Sequence, residues 1–163
     1  LKASLREAPD VILVGEIRVR ETMEAALELS NTGHLALSTL HANNAGQAIE
    51  RVINMFPQSM HKQLLMDLSL NVRGIISQRL VKAKDGKRCA ALEILVMTPH
   101  IQDLVLKGDI EEIKIAMEES GKKGMQTFDT ALHNLYKEGR IELEEALNNA
   151  SSRTNLEAKI NFG

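Results

Sequence analysis

The chain has 163 residues, a formal net charge of -2 and 26% charged residues. That length can bury a sizeable core in one or two domains, and the near-neutral charge, with no basic block, argues against nucleic acid as the partner. Aromatic residues amount to 2%, so the core must be aliphatic and a base-stacking platform is not expected.

The opening segment LKASLREAPD reads as the interior of an amphipathic helix and begins without Met, so the chain is expected to be a piece of a longer protein. After Pro9, Val11–Val14 form a short apolar run bounded by Asp10 and Gly15, the pattern of a strand buried on both faces of a parallel sheet. RETMEAALELSNTGH turns helical, with Thr22 as a candidate cap, Met23, Ala26 and Leu27 on one face, and Gly33 as its stop. LALSTL (35–40) reads as a second buried strand. A helix follows it, capped by Asn43 or Asn44, with Ala48, Val52 and Phe56 on one side. Strand, helix, strand, helix with short connections is the pattern of a βαβ sheet.

A second long helix is expected from about Met60 to Ser77. RLVKAKDGKRCAALEIL (79–95) then reads as a β-hairpin with Asp85-Gly86 at a tight two-residue turn. Past Thr98-Pro99 the texture becomes helix after helix, punctuated by Gly108, Gly121, Gly124 and Gly139. Two domains are therefore expected, an α/β part over 1–97 and a helical part over 98–163, with residues 151–163 as little more than a short tail. Met60, Met66 and Met97 read as core. His61, His100 and His133 read as surface or capping groups, and Lys82, Lys84 and Lys87 as a solvated hairpin tip.

The lone cysteine, Cys89, excludes an internal disulfide and a cysteine-based zinc ribbon, fits a reducing compartment, and reads as a small buried hydrophobe. No apolar run approaches the ~20 residues of a membrane span. No integral membrane segment is expected, and any membrane contact would be peripheral.

In open parallel sheets ligands sit beyond the carboxyl ends of the strands. Glu16 lies at one such end, and His41 at the end of the next strand, after Ser38 and Thr39. His34 lies at that strand's beginning, so Glu16 and His41 are the better pair. A carboxylate there can orient or deprotonate water, and an imidazole can donate to a phosphate oxygen. The pair suits phosphoryl chemistry, but acid plus histidine is generic. Glu16 could equally cap the next segment or pair with Arg18, with the histidines satisfying backbone groups.

SLREAPDVILVGEIRVRET resembles the Walker B segment of the type II and type IV secretion ATPases, the GspE/PilT superfamily. TGHLALSTLHANNA resembles their histidine box. The 25 positions between Glu16 and His41 match the family's spacing, and SQRLV (77–81), EIL (93–95) with Thr98-Pro99, and GMQTFDTAL (124–132) extend the likeness to nearly the whole chain. Assembly-type members commonly insert a four-cysteine zinc module after QRLV, where this chain has a lysine-rich hairpin. RVINMFP, LLMDLSLNVRGIISQRLV and GMQTFD resemble the pilus retraction branch. HIQDLVLK (100–107) keeps the apolar frame of a motif of the principal retraction motor but lacks its two arginines, which favours the companion-motor type.

The resemblance implies part of a RecA-like P-loop NTPase sheet, carrying Walker B and the histidine box, followed by a small all-helical domain. It implies that Val11, Ile12, Leu13, Val14 and Gly15 form the Walker B strand and that Glu16 activates the attacking water. His41 would sense or stabilise the γ-phosphate, His34 and Thr39 would belong to the same box, and Arg18 would be a tether. Val19 stands where the family usually has Asp, so a polar contact is lost there. The longer protein would be a cytoplasmic hexameric ATPase at the inner membrane, using ATP and Mg2+ to power pilus retraction and twitching motility. Its partners would be identical subunits, a PilT-like motor and the inner-membrane platform protein of the pilus.

None of the 10 glycines opens the G-x-x-x-x-G-K-[ST] loop that wraps nucleotide phosphates. The 163 residues alone are therefore expected to bind ATP weakly or not at all, to turn none over, and to hold no metal site. The alternatives are a pilus assembly or type II secretion ATPase, and a non-catalytic accessory or scaffold module.

Overall fold

A computed structural model describes residues 9–120 and 124–162. The expected opening helix and Gly121 fall outside the described residues. In chain order the elements are β1 Val11–Glu16, α1 Arg20–Asn31, β2 Leu35–Thr39, α2 Ala45–Asn54, α3 His61–Asn71, β3 Gly74–Lys82, β4 Arg88–Val96, α4 Pro99–Lys107, α5 Glu112–Glu119, α6 Phe128–Lys137, α7 Leu143–Asn149 and α8 Arg153–Phe162. By packing they form two compact units that interleave along the sequence. The first holds the described residues through Ala42, then Gly46–Arg73 and Met97–Ile113. The second holds Asn43–Ala45, Gly74–Val96 and the described residues from Lys114 onward.

In the first unit β1 and β2 pair in parallel, joined by α1, whose buried Met23, Ala26, Leu27 and Leu29 recur at helical spacing. Helix α1 begins one residue after Val19, whose side chain makes no capping bond. The expected cap Thr22 lies inside the first turn, where Glu21 meets the positive end of the helix dipole. The strands are not buried on both faces. Burial alternates along β1, with Ile12 buried, while Val11, Leu35, Leu37 and above all Leu13, 76% exposed, line an open face. Ala48, Val52 and Phe56 are buried together as their spacing implied. Helix α3 stops at Asn71, well short of Ser77, because Val72 turns extended. It packs on α1 and α4 with Leu64 and Leu68 buried, while Met66 faces solvent.

In the second unit the segment expected to continue the helix is instead β3, which pairs antiparallel with β4 from Gly74↔Val96 to Lys82↔Arg88. Gly74 permits this close pairing, since a Cβ there would lie 2.9 Å from the Leu95 carbonyl oxygen. The hairpin closes through Ala83 N–H donating to the Lys87 carbonyl at 2.8 Å, with Asp85 Oδ1 accepting from Lys87 N–H at 3.0 Å. The tip is therefore wider than a two-residue turn. Val81, Cys89 and Ala91 pack into one cluster with Phe128, Leu132, Ile141, Leu147 and Leu156. Residues 153–162 are not a loose tail but helix α8, anchored by Leu156 at 1% exposure.

Every residue of the QTFD stretch has a packing task. Gln126 exchanges backbone hydrogen bonds with Ile94 at 2.7 and 2.9 Å. Thr127 caps α6 by accepting from Thr130 N–H, a bond of about 1 kcal/mol in such caps. Phe128 lies under the Arg79 guanidinium, 4.1 Å from the ring centroid. Asp129 accepts from the N–H groups of Ser151 at 2.6 Å and Ser152 at 3.3 Å, just ahead of α8.

Glu93 is the buried acid of this unit. Its Oε1 accepts from the Ala45 N–H at 2.8 Å, and the Phe128 N–H also serves the carboxylate. Burial pushes its pKa up, against these two bonds and the charges of Arg79 and Lys114. A raised acid contributes stability that is complete below its unfolded pKa and lost as pH rises through its folded pKa. Glu93→Ala should cost about 1–3 kcal/mol by orphaning buried N–H groups. Glu93→Gln keeps an acceptor and does not titrate, so its melting temperature should gain on wild type as pH climbs from about 4 toward 7. Parallel melting curves for the two across that range would contradict this account.

Candidate functional site

The site is assembled at the carboxyl ends of β1 and β2. The pairing Leu13↔Leu37 is followed directly by Gly15↔Ser38, so Val14 is an extra residue, a β-bulge. Gly15 follows it at φ +79, a left-handed conformation that glycine adopts at little cost. Its carbonyl accepts from Ser38 Oγ at 2.8 Å and Thr39 Oγ1 at 3.3 Å. Beyond the site, Ile17 N–H donates to the Thr39 carbonyl at 2.8 Å. Glu16 is thereby fixed opposite Thr39, one peptide past a glycine whose carbonyl two hydroxyls hold.

The Glu16 carboxylate meets a guanidinium on one side and an imidazole on the other. Oε2 lies 2.6 Å from Arg18 Nη2, and Oε1 lies 3.0 Å from His41 Nε2. The second approach is not aligned as a hydrogen bond, so Oε1, shielded from solvent, is an acceptor with spare capacity. The Arg18 hydrogen bond, foremost, holds Glu16 below the ordinary carboxylate range, with the charges of Arg18, His41 and Arg51 acting the same way and desolvation opposing. Arg18 is raised in return. Glu16 is thus a charged, weakly basic acceptor at neutral pH, suited to orienting a water molecule more than to keeping its proton.

His34 does not join this group. Its Nδ1 lies 3.0 Å from Thr32 Oγ1 and 3.3 Å from the Leu29 carbonyl, at the end of α1. Thr39 acts through its hydroxyl on the Gly15 carbonyl. Val11, Ile12, Leu13, Val14 and Gly15 make up β1 short of Glu16 itself. Two contributors escaped the sequence reading. Ser38 holds the Gly15 carbonyl, a role that the bulge creates and no spacing announces. Arg51 Nη1 donates to the His41 carbonyl at 2.9 Å, although an arginine on a helix reads as surface. Among the described residues no group of three or more His, Cys, Asp or Glu is placed to hold a metal ion.

Comparison with known proteins places the chain in a family. A family model described as "Type II/IV secretion system protein" matches residues 1–156. The type IV pilus ATPase PilU of Pseudomonas aeruginosa is 52% identical over 100% of this chain and 43% of its own length. The type IV pilus retraction ATPase PilT of the same organism is 39% identical over 96% of this chain and 45% of its own. A crystal structure of the pilus retraction motor PilT with bound ADP superimposes with a TM-score of 0.85 at 39% identity, over 96% of this chain and 44% of that one. The α/β fold expected from the sequence is therefore that of the PilT ATPase. The chain spans less than half the length of these relatives.

If Arg18 sets the charge state of Glu16, Arg18→Gln should raise the Glu16 titration midpoint toward the ordinary value of about 4.3. Carbon-13 NMR of labelled glutamate across an acid titration reads this directly. A midpoint unchanged by the substitution would reduce the 2.6 Å contact to a surface pairing.

Proposed function

Because the chain belongs to the type II/IV secretion system protein family, we propose that it is the C-terminal part of a hexameric ATPase that powers type IV pilus retraction and twitching motility. Its likeness to PilU and PilT over nearly its whole length supports the retraction branch over assembly or secretion, with PilU the better match. The carrying observation is the carboxylate of Glu16 between Arg18 and His41 at the ends of two parallel strands. In this reading the Glu16 carboxylate accepts a hydrogen bond from the attacking water and aims its oxygen at the γ-phosphorus. Arg18 keeps the carboxylate ionised. His41, its imidazole open to solvent, donates to the γ-phosphate as charge builds there. His34 steadies the end of α1 and acts on the box only through the strand it opens.

Residues 1–97 would form part of the RecA-like ATPase domain and 98–163 the helical C-terminal domain. Mg2+ would enter with the nucleotide, and among the described residues no group of three or more His, Cys, Asp or Glu is placed to hold it alone. No helix of the described residues is long and apolar enough to cross a membrane, which suits a ring working at the cytoplasmic side of the inner membrane against the platform protein, beside a PilT-like motor. With no phosphate-cradling glycine loop in these 163 residues, ATP turnover would belong to the full-length gene product.

The test compares the full-length gene product with this chain alone. Glu16→Gln and His41→Ala should each lower ATP turnover by about 100-fold or more, with melting temperatures close to wild type. This chain alone should show no turnover. Glu16-dependent hydrolysis by the chain alone would overturn the second expectation. Full activity in both variants would remove Glu16 and His41 from the catalytic roles given them, and no turnover by the wild-type full-length product would leave a non-catalytic scaffold as the better account.

A further inference from the structure

We propose that Arg51 is a positioning residue for the Glu16–His41 pair, fixing the main chain at His41 from the neighbouring helix. The proposal rests on the functional reading of that pair given above. Strand β2 ends at Thr39, so His41 lies on a connection outside the ladder, and its side chain is 79% exposed. An exposed residue on such a connection has no packing to select one conformation, and fixing its backbone must offset the conformational entropy that is lost. Arg51 supplies a restraint. From the last turns of α2 its Nη1 reaches ten residues back and donates to the His41 carbonyl at 2.9 Å, a charge-assisted bond from a planar fork that holds direction as well as distance.

The same guanidinium acts on the other member of the pair. Its charge helps hold Glu16 in the ionised form, after Arg18 and His41. One side chain therefore touches the backbone of the imidazole-bearing residue and adds to the field at the carboxylate. Arg51 is itself exposed, so burial does not explain it. A residue with a merely structural role on a solvated helix face would contribute little to stability, and nothing about its replacement would depend on His41.

The experiment uses the full-length gene product and a double-mutant cycle. Arg51→Ala should lower kcat for ATP by about tenfold or more, because small displacements of a reacting group carry such losses. Its KM for ATP and melting temperature should stay near wild type, and Arg51→Lys should recover part of the rate. In a His41→Ala background, Arg51→Ala should remove no more than about twofold further, since the imidazole it positions is already gone and its charge is the weakest of those acting on Glu16. Independent, multiplying losses would overturn the proposal, and so would an Arg51→Ala variant as active as wild type. Glu16→Gln and His41→Ala controls separate the two levels. If they lower turnover and Arg51→Ala leaves it at the wild-type rate, the pair is functional and Arg51 has no part in it. If they retain turnover, the site reading fails and this proposal falls with it.

Discussion

The geometry of the candidate site depends on a single irregularity, the bulge at Val14 followed by a left-handed Gly15. Continued without it, the β1–β2 register would set Gly15 against Thr39 and carry Glu16 one residue further along. A one-residue slip also moves a side chain to the opposite face of a strand. The acid would then leave both the imidazole at His41 and the hydroxyls that hold the preceding carbonyl. A Cβ at Gly15 would meet no atom within 4 Å, so the demand for glycine is one of backbone conformation alone, about 1 kcal/mol or more for a residue that resists this φ. The sheet thus places Glu16 by backbone strain avoided and two hydroxyl bonds made, before any charge is considered.

Charge then decides what that acid can do. Arg18, His41 and Arg51 all favour the carboxylate form of Glu16, which makes it a poor holder of protons. For a general base that must fully deprotonate its substrate this would be a handicap. Phosphoryl transfer asks for less, because its transition state is loose and the attacking oxygen becomes acidic only late. A low-pKa carboxylate that stays ionised at neutral pH, with one oxygen bound to Arg18, is matched to orienting water. The tight Arg18 contact also fixes which oxygen faces the imidazole.

Much of this was legible in the residues, for identifiable reasons. Short apolar runs broken by glycine mark β1 and β2, and a 25-position separation with a helix between them brings two strand ends to one rim. The bulge left no mark, because Val14 is as apolar as its neighbours. Helix α3 ran too long in the sequence reading because Val72, Ile75 and Ile76 continue an apolar pattern, and their β-branched bias toward strand is a weak local signal. Helix α8 was missed because Leu156 is the one side chain it buries, too little for periodicity to register. Arg51 was invisible as a contributor since a guanidinium on a helix face looks the same whether it faces water or a carbonyl.

The likeness to the family covers nearly the whole chain, yet its motifs do two different kinds of work. GMQTFD is accounted for by packing, with a backbone bridge at Gln126, a cap at Thr127, a buried ring at Phe128 and a carboxylate on two N–H groups at Asp129. A chain could keep that motif for its fold alone. The rim of the β1–β2 sheet is different. Arg18 and His41 are 73% and 79% exposed, bury little, and surround a carboxylate that an alanine could replace without opening a core. No packing requirement selects those three residue types together at the ends of two parallel strands. The chemical reading therefore draws its strength from the part of the motif that the fold does not need.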